Sequence, residues 1–177
     1  MEVHTEIWWE RLASFSSAFF RPALGASFLS AVADRFGLWG QFGQPNVSWG
    51  NFARFVEYTG RLNWFLPHPI VSALAVIVTF AEVLLGLLLL VGWKTRITAL
   101  CAGILVMIFG MAMTAALGVE APLSASVFSA AGGSLLLATC TRFPFSVDEL
   151  IQRACKRKEA RTDGNLSLRT GTSVARS

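Results

Sequence analysis

Charge is scarce in this sequence. Only 15% of its 177 residues are Asp, Glu, Lys or Arg, against about 25% in soluble domains. Even that share is uneven, because eight of the 15 basic residues (Arg142, Arg153, Lys156, Arg157, Lys158, Arg161, Arg169 and Arg176) follow Thr141. What precedes them suits lipid rather than water. The formal charge of +4 is therefore not a nucleic-acid footprint. Its bases stand beside long apolar runs, and their anionic counterpart is the lipid headgroup.

Cysteine and histidine are also few. Cys101, Cys140 and Cys155 form no CxxC pair, which argues against thiol–disulfide exchange. The first two fall in apolar helical stretches, where a thiol packs as a small hydrophobe. His4 and His68 are expected on opposite sides of a membrane, so no metal site is predicted. No phosphate loop and no Ser-His-Asp arrangement is present. The opening residues carry Glu2, Glu6 and Glu10 and lack the basic start and small-residue cleavage site of a signal peptide. Insertion is expected to rely on the transmembrane helices themselves.

What the sequence does have is apolar length. A spanning helix needs roughly 20 apolar residues, and four stretches qualify: about Pro22 to Trp39, Pro69 to Trp93, Ile97 to Val119, and Pro122 to Thr141. The fold class expected is all-α, an integral membrane four-helix antiparallel bundle occupying residues 1–143. A basic cytoplasmic tail, 144–177, follows. Pro22, Pro69 and Pro122 read as first-turn prolines, and Gly40, Gly92 and Gly118 as exits. Lys94, Arg96 and the basic tail are expected to place both termini in the cytoplasm. Arg54 and Arg61, in the expected outer loop, dissent mildly.

Two shorter segments have the pattern of interfacial helices. Trp8, Leu12, Phe15 and Phe19 make one apolar face, with Glu6, Glu10 and Arg11 opposite. In the outer loop, Trp49, Phe52, Phe55 and Leu62 make another, and Glu57 is spaced to pair with Arg54 and with Arg61. This loop helix is expected to lie across the outer mouth of the bundle, within an aromatic belt that includes Trp39, Trp64 and Phe65. Ser146 and Glu149 form a capping box for a helix to about Arg157. Beyond Ala160 the composition predicts disorder.

Three charges fall inside the expected spans: Asp34, Arg35 and Glu82. Each costs about 2.5–3.5 kcal/mol at mid-bilayer even on the gentler scale, so they must face inward and pair. Counting along the helices puts Arg35 and Glu82 within roughly 10 Å in depth, a gap an arginine side chain bridges. Adjacent residues diverge by about 100° on a helix, so Asp34 cannot aim where Arg35 does. Thr79 and Gly86 share the Glu82 stripe, and Gly86 is expected to leave space beside the carboxylate. Asp34, Arg35, Thr79 and Glu82 are thus the candidate intramembrane site. It is either a register-fixing ion pair or a polar pocket for a small head group or a proton. Small residues on the fourth span (Ser126, Ala130 and Ser134; Ala125, Ser129 and Gly133) predict close helix contact.

Several stretches resemble the DoxX family of small bacterial membrane proteins: Arg21 to Leu29, Asp34 to Gly40, Ala81 to Gly92, Thr95 to Leu100, and Pro122 to Ala130. The resemblance implies a four-helix membrane bundle and, through DoxD-type relatives, a link to thiosulfate:quinone oxidoreductase and redox defence. It suggests quinone as a ligand and a redox protein as a partner. On this reading the chain is an accessory membrane component holding quinone between spans one and two. The alternatives are a quinone-binding oxidoreductase subunit with Glu82 exchanging a proton, and a small transporter.

Overall fold

The computed structural model describes residues 2–158. The segment beyond Ala160, expected to be disordered, lies outside the described residues, as do the side chains of Glu6 and Glu10. Six helices follow in order: α1 (Glu2–Arg35), α2 (Phe52–Leu62), α3 (His68–Val91), α4 (Thr95–Leu117), α5 (Glu120–Ser124) and α6 (Val127–Thr139). A seventh, α7, covers residues 147–158. The described residues contain no strand. α1 packs on α3, α3 on α4, α4 extensively on α6, and α6 back on α1, with α2 resting on α3, α4 and the end of α1. The core inside this ring is Leu24, Phe28, Leu89, Ala99, Ala102, Leu137 and Phe143.

Two helices, α3 and α4, are long and apolar enough to cross a membrane, yet only 28% and 22% of their most apolar stretches are buried. Ile77, Phe80 and Leu84 on α3, and Ile97, Ile104 and Ile108 on α4, stand exposed. A soluble core helix hides such residues. A surface of this kind needs hydrocarbon as its solvent, so the chain is a membrane protein.

The two remaining expected spans differ from the prediction. Pro22 does not begin a helix; it lies inside α1, which joins the aromatic face of Trp8 to Phe19 and the first span in one rod. Proline forgoes the bond to the carbonyl four residues back, but its fixed φ is itself helical. Breaking the helix in an apolar medium would expose several backbone groups instead of one. α1 stops at Arg35, short of Trp39. Gly37, at φ +73°, lets Leu38 N–H reach Ala33 O (3.0 Å) and Gly37 N–H reach Asp34 O (3.0 Å), a Schellman closure. Pro122 likewise starts no long span, because α5 ends at Ser124 and Ser126, at φ +55°, separates it from α6. α6 alone, at about 1.5 Å per residue, is shorter than a bilayer core. Pro69, Gly92 and Gly118 do occupy the helix ends expected of them.

At one end of the ring, side chains tie distant segments together. Arg21, buried within α1, donates to Leu89 O (2.6 Å) and Leu90 O (2.8 Å) at the α3 C-terminus and to Phe145 O (2.9 Å). Asp148 accepts from Lys94 N (2.8 Å) and Thr95 N (2.7 Å), capping α4. The capping box forms: Ser146 Oγ accepts from Glu149 N (3.1 Å), while the Glu149 carboxylate accepts from Phe145 N (3.1 Å), one residue earlier than the usual pattern.

Glycine sets the α1–α3 spacing. A Cβ on Gly25 would stand 2.8 Å from Gly86 O, which is backbone and cannot yield cheaply. Gly25→Ala is therefore expected to cost about 1–3 kcal/mol, typical of overpacking. The expected result is a lower melting temperature in detergent, while Gly132→Ala, whose Cβ would meet nothing within 4 Å, leaves it unchanged. Equal melting of both variants would refute this close contact.

Candidate functional site

Three of the candidate polar residues, Arg35, Thr79 and Glu82, converge at the other end of the ring, beneath α2. Arg35 is the last residue of α1 and is 1% exposed. Its Nη1 donates to Thr79 Oγ1 (2.9 Å) and lies 2.5 Å from Glu82 Oε2. Thr79 and Glu82 sit one turn apart on the buried face of α3, and Thr79 passes its own hydroxyl hydrogen to Ala75 O (2.8 Å). The Arg35–Glu82 contact is an ion pair by distance but is not aligned as a hydrogen bond. Arg35 Nε and Glu82 Oε2 are buried without hydrogen-bond partners among the described residues.

Aromatic rings close the top. The Arg35 guanidinium carbon lies 3.6 Å from the Phe55 ring centroid and 5.4 Å from that of Trp49. Phe55 is fully buried on the inner face of α2 and meets Trp49 edge-on at 5.4 Å. α2 is positioned by Asn51, whose side chain accepts from Arg54 N (3.0 Å) in the usual N-cap manner.

Asp34 aims elsewhere, as the helical angle requires. Its Oδ2 accepts from Ser48 N (2.9 Å) and Trp49 N (3.1 Å), so it fixes the loop that carries Trp49. Two successive residues of α1 thus hold α3 and the α2 loop separately. Sequence reasoning named the four polar residues as candidates and read the amphipathic α2, but it did not connect Phe55 and Trp49 with Arg35. The three-residue spacing of those aromatics showed that they needed a buried surface, not which one.

Three expectations need correction. The space predicted beside Glu82 is absent: Gly86 packs against the Leu29 side chain and Gly25 O, each about 3.0–3.1 Å from where its Cβ would be. Small residues on both helices drew α1 in and filled that volume. Glu57 pairs with Arg61 (2.7 Å), but Arg54 lies over the Phe42 ring (3.6 Å) instead. Cys101 is exposed on α4 rather than packed inside.

Residues 13–133 match the family model described as methylamine utilisation protein MauE. The chain belongs to the MauE family. The matched region contains Asp34, Arg35, Thr79, Glu82 and both aromatic lids, and stops within α6 before the α7 clasp. No curated protein and no solved structure matches the chain. Membership in MauE overturns the resemblance to DoxX, and the thiosulfate link drawn from that resemblance falls with it. The stretches that suggested DoxX are mainly runs of small and apolar residues, the longest being the Leu-rich Ala81 to Gly92 on α3. Any family whose helices touch closely in lipid needs such runs, so they discriminate poorly between families.

Proposed function

We propose that this MauE-family chain is an accessory component of a bacterial membrane redox system serving methylamine utilisation. It crosses the inner membrane with α1, α3, α4 and the α5–α6 pair as four spans, both termini cytoplasmic. The charge distribution supports that orientation: Lys94, Arg96 and the bases of α7 gather at the Arg21 end, and Glu120 stands at the other. The observation that carries the reading is the Arg35–Glu82–Thr79 lock beneath Phe55. It uses costly intramembrane charge to hold α2 rigidly over the outer end, giving a fixed platform for a redox partner outside the membrane. The carbon of methylamine is at the methanol oxidation level, so freeing its nitrogen through an imine is a two-electron oxidation, chemistry that suits such a partner. Quinone is no part of this proposal, because the DoxX resemblance that suggested it does not hold.

A host that grows on methylamine tests it. Deleting the gene is expected to abolish growth with methylamine as sole nitrogen and carbon source and to leave growth on succinate and ammonium intact. Wild-type protein and Arg61→Ala restore growth, whereas Arg35→Ala does not. Undiminished growth of the deletion strain on methylamine would overturn the proposal.

A further inference from the structure

A groove of about 540 Å³ opens beside Asp34, lined by α1 and the 39–49 segment. Its walls include Ser27, Ser30, Asp34, Trp39, Asn46 and Trp49, and no Lys or Arg lines it. Asp34 is 5% exposed, and Oδ2 holds two loop amides, while Oδ1 is buried with no hydrogen-bond partner among the described residues. Formal charge does not balance here. Asp34 and Glu82 bring two carboxylates, Arg35 brings one guanidinium, and Arg35 is engaged by Glu82. Among the described residues, the second carboxylate is left without a cation at the wall of the groove.

The aromatic component selects among cations. Trp39 donates its indole N–H to Ser30 O (3.0 Å), which pins the ring along the groove while leaving it largely exposed. Trp49 is held by Asp34 itself. An indole face beside a carboxylate attracts weakly hydrated organic cations, and tryptophan is the best ring for this. The methyls of Ala26 and Ala31 supply a small apolar wall.

We propose that this groove binds a small alkylammonium ion, with Asp34 as its counter-ion and Trp39 and Trp49 as aromatic walls. The inference deepens the reading above by giving the outer platform a ligand class. Because it is tested by binding to purified protein, its failure is distinguishable from failure of the growth phenotype.

The experiment uses the full chain in lipid nanodiscs, titrated with methylammonium chloride and followed by tryptophan fluorescence and calorimetry. Saturable binding is expected, with sodium chloride and methanol giving none. Asp34→Asn keeps an oxygen for the Ser48 and Trp49 amides but removes the charge, and should weaken binding about tenfold. Trp39→Ala, at an exposed ring, should weaken it about threefold or more, so the proposal stays testable if the Asp34 variant fails to fold. Equal affinity in both folded variants, an equal response to sodium, or absence of saturable binding would each overturn it.

Discussion

Glu82→Ala is expected to destabilise the protein by about 3–5 kcal/mol, the cost of removing one partner from a buried ion pair. The cost arises on the partner left behind. Arg35 is almost wholly buried, its Nε already has no hydrogen-bond partner, and without Glu82 it keeps only the Thr79 hydroxyl and two ring faces. Water cannot reach it without lifting α2. The pair itself is not predicted to be strongly stabilising, because taking two charges out of water offsets most of their attraction. The double variant Arg35→Met with Glu82→Leu should therefore melt within about 1–2 kcal/mol of wild type. Thermal melting followed by fluorescence-detected size exclusion in mild detergent separates these outcomes. A Glu82→Ala protein that melts like wild type would show that the two side chains are not buried together.

The second large effect is expected at the opposite end. Arg21→Ala removes three charge-assisted bonds to carbonyls of Leu89, Leu90 and Phe145, each worth about 1.5–3 kcal/mol in isolation. Since they share one guanidinium the losses do not add, and a total of about 3 kcal/mol is expected. Two of those carbonyls belong to the last turn of α3, where a cation also complements the helix dipole. The third ties down the segment leading to α7. Loss of Arg21 should therefore lower the melting temperature and also speed proteolytic cleavage within residues 142–158. Arg21→Lys keeps the charge but not the planar fork, and is expected to fall between. Unchanged melting and cleavage in Arg21→Ala would refute the clasp.

These two residues show where sequence reasoning works and where it stops. Glu82 stood out because a carboxylate within an apolar stretch of twenty residues is expensive, and expense within one segment is visible locally. Arg21 did not. It sits between the aromatic face of α1 and Pro22, where it reads as a flanking base, and its partners are more than sixty residues away. The same holds for Asp148, which reads as part of a capping box for its own helix and also caps α4. Family resemblance was the least secure inference, since packing faces in lipid converge on the same few small residues.

By itself the sequence determined that lipid solvates this chain, roughly where α3 and α4 lie, that Asp34, Arg35 and Glu82 had to be internal, and that Ser146 and Glu149 open a helix. Each of these follows from residues within a turn or a single span, where hydropathy, proline and glycine act directly on the local backbone. The tertiary structure decided that α1 runs unbroken through Pro22, that Gly25 and Gly86 bring α1 against α3, and that Phe55 and Trp49 roof Arg35. Those outcomes depend on which faces meet, and a choice of neighbour is a property of the whole packed chain.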